Sequence, residues 1–380
     1  MDLTLTEEHN NIKEAAREFA QRVLKPGVIE RDTKGEYPVE GVRQMKEMGF
    51  IGMTVSEKYG GGGMDMISYV LVMEEISKID SSSSVILSAH NSLVCWGIEA
   101  FGSEDQKQRY LTKLATGDYM GAFCLSEPEA GSDATSQKTM ATDQGDHYLL
   151  NGTKNWITNG STADIYVVIA QTDIEKGHRG INAFIVEADS QGVSTGPKED
   201  KLGIRSSDTC SVMFQDVKVP KENRIGPDGF GFKYAMKTLD GGRIGIASQA
   251  LGIAAGAYEL ALAYSHERKS FGKPINQHQA VAFKLADMMV DIECARLLTL
   301  TAAKQKDLSL PYSLMAAMAK LKTSEVAMKH TVEAVQIHGG YGFVKEYHVE
   351  RLMRDAKITQ IYEGTSEIQK LVIARSIMKK

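Results

Sequence analysis

The spacing of apolar residues changes twice along the chain and predicts three regions. The first helix is expected to begin after Thr6, because threonine is a preferred N-cap residue and the acidic Glu7 and Glu8 suit the first turn of a helix. Apolar residues then recur every three or four positions on one helix face, at Ile12, Ala16, Phe19 and Val23. This helical pattern continues to about residue 117, so we predict a helical domain over residues 1–118.

Short apolar runs separated by turn signals replace the helical pattern over residues 119–231. Runs of strand length occupy residues 164–170, 181–188 and 210–220. The Asn-Gly pairs at 151–152 and 159–160 are typical of hairpin turns. Because the strands follow one another too closely to leave room for helices, the region predicts a β-sandwich or barrel rather than a doubly wound sheet.

The helical period returns after residue 231 and persists to the end of the chain. Apolar residues in the first part of this region alternate at spacings of four and three, at Ile246, Ala250, Ile253, Ala257, Leu260 and Tyr264. Only Pro274 and Pro311 interrupt the region, at positions that suit helix boundaries. We therefore predict a helical bundle over residues 232–380, in a protein that is α+β and mostly α.

The charge pattern and the cysteines exclude several classes of function. The net charge of the 380 residues is −5, and acidic and basic residues are interspersed, which argues against a nucleic-acid or membrane-surface patch. The four cysteines (Cys95, Cys124, Cys210 and Cys294) form no CxxC pair, so we expect buried thiols in a reducing compartment and no metal site. The expected partners are small molecules or another protein.

The N-terminus is polar and does not have the pattern of a signal peptide. No stretch reaches the roughly 18 continuous apolar residues that a membrane span needs. These two observations predict a cytoplasmic protein that does not insert into a membrane, although a processed mitochondrial form would look the same.

Two segments of the β region are unusually polar or glycine-rich. In the segment 124–133, small residues and hydroxyl groups offer donors to a planar or phosphorylated ligand, but a turn cluster between strands explains the same composition. In the segment 155–158, Trp156 could stack on a ring while Thr158 reaches a heteroatom. An ordinary half-buried strand is the alternative for that segment.

Two further segments interrupt the last helical region. The segment 336–343 contains three glycines in four positions, which predicts a break where a ligand or another backbone approaches closely. It does not follow a strand, so a Rossmann phosphate loop is rejected. In the segment 360–367, Glu363 stands between Tyr362 and Gly364. A carboxylate in an apolar pocket has a raised pKa and can serve as a base near neutral pH. The alternative is a helix N-terminal turn.

Isolated charged and titratable residues are less informative. Arg243 and Arg268 could meet an anionic ligand, but single arginines on helices are more often solvated. The histidines at 90, 278 and 338 have no partners at metal-ligand spacing, so we interpret them as structural.

Taken together, these segments resemble the acyl-CoA dehydrogenase family. The segment Cys124 to Ser136 is similar to one family signature, and Gln336 to Asp355 is similar to the other, with Tyr-Glu-Gly-Thr-Ser-Glu close behind at 362–367. The resemblance covers the whole chain in the right order. It implies an N-terminal helical domain, a β domain and a C-terminal four-helix bundle, in a homotetramer built as a dimer of dimers.

The resemblance also implies FAD as cofactor and assigns site residues. Glu363 would be the catalytic base. The substrate would be bound by Ser132, Asp240, Gly241, Arg243 and Gly364. FAD would be bound by Phe123, Leu125, Ser126, Gly131, Ser132, Trp156, Ile157, Thr158, Arg268, Phe271, Gln279, Gln336, Ile337, Gly339, Gly340, Thr365 and Glu367. Of these, Arg268, Gln279 and the segment 336–340 would reach the FAD of a neighbouring subunit.

One position narrows the subfamily. Some members carry the base before the arginine equivalent to Arg243, but that position is Gly242 here, which leaves Glu363 as the base. The segment 238–247 resembles the short-chain, butyryl-type members, which pass electrons to electron-transfer flavoprotein. The alternatives are a branched-chain enzyme acting on isobutyryl- or 2-methylbutyryl-CoA, an oxidase, and a non-catalytic scaffold with the same fold.

Overall fold

Helices occupy both ends of the chain and strands occupy its middle in the computed structural model, which describes residues 2–378. The α-helices are α1 (Glu7–Phe19), α2 (Val28–Lys34), α3 (Val39–Glu47), α4 (Met66–Ile79), α5 (Ser81–Ser88), α6 (Trp96–Phe101), α7 (Glu104–Gln106), α8 (Thr112–Ala115), α9 (Gly231–Glu267), α10 (Gln279–Asp307), α11 (Ser313–His338), α12 (His348–Ile358) and α13 (Ser366–Ile377). Three π-helical segments continue neighbouring helices, at Ala20–Leu24, Ala89–Cys95 and Lys107–Leu111. Short 3-10 turns lie at Glu57–Tyr59, Ile174–Gly180, Lys221–Asn223, Ile275–Gln277 and Gly339–Phe343.

The strands form one large sheet and one small hairpin. They are β1 (Gly121–Cys124), β2 (Met140–Asp143), β3 (His147–Thr158), β4 (Ile165–Gln171), β5 (Ile181–Glu187), β6 (Val193–Thr195), β7 (Thr209–Pro220), β8 (Arg224–Ile225), β9 (Lys269–Ser270) and β10 (Lys273–Pro274). The large sheet has the order β6-β7-β3-β2-β4-β5-β8, and β1 pairs with β4 in parallel. The predicted order of a helical region, a β region and a helical region is therefore confirmed.

The predicted start of the first helix is also confirmed. The Thr6 side chain accepts a hydrogen bond from the backbone N–H of His9, and the His9 ring accepts one from the backbone N–H of Thr6. This reciprocal capping satisfies two backbone donors that a helix terminus otherwise leaves unpaired. The buried residues Ala16 and Phe19 on the predicted face pack into the same core as α4.

The large sheet folds back on itself, and its strands β1, β4 and β5 are buried on both faces. Side chains of β4 alternate between two cores: Ile165 and Val167 face the helices, whereas Tyr166 and Val168 face the inside of the sheet. Rings from strands that are not neighbours meet inside, such as Tyr148 of β3 and Phe184 of β5 at 4.9 Å. Because both faces of β4 are buried, its sequence is a continuous apolar run rather than an alternation of apolar and polar residues.

Neither of the two predicted hairpin turns forms a hairpin. Asn151 and Gly152 lie inside β3, where the register with β7 shifts between Leu150 and Gly152. A side chain at Gly152 would collide with Thr139, so glycine is needed for close backbone approach at a bulge rather than for a turn. The second pair does follow the end of β3, with Asn159 in the left-handed region at a φ of 62°. It is a turn but not a hairpin, because β2 lies between β3 and β4 in the sheet.

Helix α9 runs through the centre of the molecule. Glycines let it approach α4 closely, since a Cβ at Gly252 would meet the backbone of Glu74 and one at Gly256 would meet the backbone of Lys78. The helix is long and apolar enough to cross a membrane, but 72% of its most apolar window is buried inside the protein. Its apolarity is therefore explained by its place in the core.

The expectation of buried thiols holds for three of the four cysteines. Cys95, Cys124 and Cys210 are buried, whereas Cys294 is exposed on α10. Local composition does not distinguish the two faces of α10, because that helix carries apolar residues on its outer face as well.

Candidate active site

Glu363 stands in a tight turn between α12 and α13. Its φ is 52° and that of Gly364 is 94°, so both residues adopt the left-handed conformation. For a residue other than glycine this conformation costs about 1 kcal/mol, so the surrounding structure must hold it in place. The side-chain amide of Gln369 donates to the carbonyl oxygens of Glu363 at 3.2 Å and Gly364 at 2.8 Å. Lys320 Nζ donates to the Gly364 carbonyl at 2.7 Å.

The alternative interpretation of this segment, a helix N-terminal turn, describes its backbone correctly. The Thr365 side chain accepts from the backbone N–H of Ile368 at 3.3 Å and caps α13. The Glu363 side chain takes no part in this capping. Its carboxylate lies against Gly242 of α9 instead, which leaves it available for another purpose.

The Glu363 carboxylate lies in a protein pocket rather than in solvent. Its Oε2 is buried and has no hydrogen-bond partner among the described residues. A Cβ placed on Gly242 would overlap this oxygen and would lie 2.8 Å from Leu93 Cδ2. Burial raises the pKa of Glu363 to about 7, against the opposing influence of Lys320 and Arg243. A carboxylate with this pKa can remove a proton at neutral pH.

Arg243 is not solvated, contrary to the usual behaviour of single arginines on helices. It is buried one turn from Asp240 on α9 and donates to Oδ1 of that residue at 2.5 Å. Ser313 donates to the same oxygen at 2.9 Å. Gly241, between them, would place a Cβ 3.1 Å from Lys306 Nζ. The predicted substrate residues Asp240, Gly241 and Arg243 thus lie on the stretch of α9 that also borders Glu363.

The segments 123–132 and 154–158 lie side by side and are joined by a buried ion pair. The backbone N–H of Asn155 donates to the Ser126 carbonyl at 2.9 Å. Lys154 is fully buried, and its Nζ donates to Leu125 O at 3.1 Å and to Glu127 Oε1 at 2.6 Å. Trp156 has a φ of 56° and is 59% exposed, at a second register shift of β3. Trp156 therefore belongs to a strand, as the alternative interpretation held, but it is more exposed than a half-buried strand residue. Its stacking on a ring stays a prediction.

The π-helical segment 89–95 contacts both halves of the candidate site. Strand β1 packs against it, because a Cβ on Gly121 would lie 2.6 Å from Val94 Cγ1. Leu93 shares a core with Phe123, the first predicted flavin residue, and also borders the space of the Glu363 carboxylate. The segment thus links the loop after β1 to the turn that carries Glu363.

A second group of predicted FAD residues surrounds a separate cavity of about 510 Å³. Arg268, Ile337, Gly339 and Gly340 line it, together with Tyr264, whose ring stacks on His338 at 4.3 Å. Within residues 2–378 the lining includes no part of 123–132, 156–158 or 363–367. Phe271, Gln279 and Gln336 lie exposed in the same part of the chain. Within one chain, the predicted FAD residues therefore form two groups that lie apart from each other.

The histidines interpreted as structural make structural contacts. The ring of His90 lies 2.9 Å from the Leu114 carbonyl and 3.2 Å from the backbone N–H of Gly121. His278 contacts the Ser270 carbonyl at 3.1 Å. His338 is bonded to Ala334 O at 2.8 Å, but it also lines the 510 Å³ cavity.

Both groups have features that suit a flavin dinucleotide. A Cβ on Gly131, Gly339 or Gly340 would meet no atom within 4 Å, so the bare backbone there faces open space. Ser366 Oγ and Gln369 Oε1, beside Thr365, are buried without a partner in the described part of the chain. Exposed backbone donors suit phosphate groups, and an exposed indole suits a ring system.

A buried carboxylate and two glycine-containing segments open to a ligand, on a frame of helical, β and helical domains, are the arrangement of a flavin-dependent acyl-CoA dehydrogenase. The chain belongs to that family. The acyl-CoA dehydrogenase N-terminal domain matches residues 6–118, the middle domain matches residues 122–217 and the C-terminal domain matches residues 229–378.

Relatives with the same length are similar along the whole chain. The short-chain specific acyl-CoA dehydrogenase of Clostridium acetobutylicum is 52% identical over 379 residues, which covers 100% of both chains. The structure of butyryl-CoA dehydrogenase from Megasphaera elsdenii superposes with a TM-score of 0.98 at 50% identity and full coverage of both chains. A chain in a structure described as the electron transferring flavoprotein of Acidaminococcus fermentans superposes with a TM-score of 0.99 at 50% identity, again with full coverage of both.

Lys320, which donates to the turn that carries Glu363, was not predicted from the sequence. It is a single lysine in an otherwise small and apolar stretch, Ala316-Ala-Met-Ala-Lys320. It stands four residues after Ala316 and three before Thr323, both buried, so the helical period places it on the buried face of α11. A charged residue at a core position of an amphipathic helix is rare, and this pattern could have identified Lys320 from the sequence.

Proposed function

We propose that this protein oxidises a short-chain acyl-CoA, such as butyryl-CoA, to the trans-2-enoyl-CoA, with Glu363 removing the α proton. The observation that carries the proposal is the buried Oε2 of Glu363, which has no partner in residues 2–378 and a pKa raised to about 7. The identity to short-chain relatives over the full chain supports the substrate class.

The chain's own residues would orient the thioester and receive the proton. Among the described residues the backbone N–H of Glu363 donates no hydrogen bond, so it is available to the thioester carbonyl, whose charge grows as the α proton leaves. Arg243 is held by Asp240 next to the base and supports the ionised carboxylate. FAD, held by 123–132, 156–158 and 365–367, would accept the hydride from the β carbon.

Several narrower statements belong to this proposal. Electron-transfer flavoprotein is the proposed acceptor, supported by the similarity to a chain in the Acidaminococcus structure.

A homotetramer is the proposed assembly. It is supported by an apolar stripe on α10, where Phe283, Val290 and Leu297 are 59%, 63% and 55% exposed at a seven-residue spacing. The cavity lined by Arg268 and Gly340 lies apart from the first group of predicted FAD residues. In a homotetramer this cavity would complete the site of a neighbouring subunit. The cytoplasmic location stays a prediction.

The test is a spectroscopic titration of the purified holoenzyme. The protein should be yellow, and its flavin absorbance should bleach anaerobically with saturated acyl-CoAs of four to sixteen carbons, most readily with butyryl-CoA. Faster bleaching by isobutyryl- or 2-methylbutyryl-CoA would establish the branched-chain alternative. Stoichiometric hydrogen peroxide in air would indicate an oxidase. A colourless protein that takes up no FAD would leave only the scaffold.

A further inference from the structure

Lys320 is a fully buried lysine whose ammonium group lies beside the turn of Glu363 and Gly364. Its Nζ donates to the Gly364 carbonyl at 2.7 Å. Burying an ammonium group against a carbonyl is unfavourable, and a neutral side chain of similar volume would pack at this core position at lower cost. Stability therefore does not explain why a lysine stands here.

We propose that Lys320 is a positioning residue for proton removal: it holds the left-handed turn that aims the Glu363 carboxylate, and its positive charge favours the ionised form of that carboxylate. The inference rests on the proposed function, because it gives Lys320 a part in the work of Glu363.

The geometry supplies the first half of this role. The turn is strained, with φ values of 52° at Glu363 and 94° at Gly364. Gln369 holds it from α13, through the carbonyls of both residues. Lys320 holds the Gly364 carbonyl from α11. Anchors on two separate helices keep the carboxylate in the space that Gly242 leaves open, where small displacements would lower the rate strongly.

The charges around the carboxylate supply the second half. The charged and titratable groups that act on Glu363 and Lys320 come from α4, α9, α11, α13 and the turn itself: Tyr69, Arg243, Lys320, Glu367 and Tyr362. Lys320 lowers the pKa of Glu363 more than Arg243 does, although burial outweighs both. Arg243 is already paired with Asp240 at 2.5 Å, so its charge is shared with another carboxylate.

The two buried groups titrate as a coupled pair. Burial lowers the pKa of Lys320 to about 7, and Glu363 acts in the opposite direction. Removal of the ammonium would raise the pKa of Glu363 above about 7. A smaller fraction of the enzyme would then carry an ionised base at neutral pH, and the rise of kcat with pH would move to higher pH.

Three variants separate the two halves. Lys320→Met removes both the hydrogen bond and the charge, Lys320→Gln keeps a donor without charge, and Lys322→Met is the matched control. Lys322 lies on the same helix but is bonded to Asp291 at 3.0 Å. With butyryl-CoA at pH 7 we expect Lys320→Met to lose more than about tenfold in kcat with little change in KM. Lys320→Gln should recover part of kcat but keep the displaced pH limb, and Lys322→Met should match the parent.

A parent-like pH limb in both Lys320 variants would overturn the proposal, as would an equal displacement in Lys322→Met. Should Lys320→Met fail to fold, Lys320→Gln alone decides. A second measurement needs no turnover: infrared difference spectra between each holoenzyme and its Glu363→Gln counterpart report the ionisation of Glu363. If Glu363 ionises at higher pH in the Lys320 variants than in the parent, the proposal is supported. If Glu363 ionises at the same pH in both, the proposal is contradicted. If the parent oxidises no acyl-CoA, the proposed function is wrong. The infrared titration still tests whether Lys320 changes the ionisation of Glu363, because it needs no turnover.

Discussion

Oε2 of Glu363 occupies the space that a side chain on Gly242 would need. A Cβ built on Gly242 would overlap this oxygen, and the same position borders Leu93. The absence of a side chain on α9 is thus what allows a carboxylate from the distant turn before α13 to enter the site. The chain has room for one carboxylate there, and Glu363 supplies it.

Replacing Glu363 by glutamine should remove the base and preserve the site. We expect Glu363→Gln to keep FAD and acyl-CoA binding and to lose about a thousandfold in kcat with butyryl-CoA, since glutamine has the same shape but accepts no proton. Stopped-flow flavin reduction measures the effect. Glu325→Gln is a matched control, because Glu325 is paired only loosely with Lys370 at 3.9 Å. Near-parent reduction by Glu363→Gln would refute the assignment of the base.

A single methyl group on Gly242 should displace the carboxylate. We expect Gly242→Ala to lower kcat by about a hundredfold, the loss that a 1 Å misplacement can cause. Alanine is favoured over glycine in a helix by about 1 kcal/mol, so the loss should not come from unfolding of α9. Steady-state kinetics combined with FAD content and a thermal melt tests this. Parent kinetics in Gly242→Ala would mean that the carboxylate does not react from this position.

The rate should depend on pH through Glu363. Burial raises the pKa of this carboxyl to about 7, and only its ionised form can accept a proton. Hence kcat/KM for butyryl-CoA should rise as the pH increases through about 7 and should fall tenfold per unit well below it. Measurement of kcat/KM across pH 5 to 9 checks the sign. A rate that is constant from pH 5 upward would show that the base has an ordinary glutamate pKa.

The buried pair of Lys154 and Glu127 should hold the flavin loop. Lys154→Met would leave the Glu127 carboxylate, which also accepts from the backbone N–H groups of Lys138 and Thr139, without its cation. Removing one partner of a buried ion pair costs about 3–5 kcal/mol. We expect a lower melting temperature and loss of FAD on gel filtration. The double variant Lys154→Met with Glu127→Gln should be less destabilised, and equal destabilisation would argue against the pairing.

A charge in the apolar stripe of α10 should break the assembly. Val290 is 63% exposed in the centre of the stripe, so Val290→Asp would place a carboxylate in the proposed contact between subunits. Light scattering after gel filtration should show a tetramer for the parent and smaller species for the variant. Val39→Asp is the control, because Val39 is 71% exposed on α3, outside the stripe. A monomeric parent would remove the assembly from the proposal.

The order of helical, β and helical regions could be predicted from the sequence because it depends on the local spacing of apolar residues. Helical spacing of apolar residues and the cap at Thr6 are properties of neighbouring residues, and the structure has both. The continuous apolar run at 164–170 likewise predicted a strand. Local signals were misleading at Asn151-Gly152, where a bulge rather than a turn required glycine, and at Cys294, which lies on an exposed face.

The sequence by itself determined the elements, their order and the candidate residue Glu363. Only the tertiary structure decided what surrounds that residue: Gly242 and Arg243 from α9, Lys320 from α11 and Gln369 from α13. The physical reason is that a pKa depends on desolvation and on nearby charges. Both arise when elements far apart in the chain pack together, and no local pattern of apolar and polar residues records that packing.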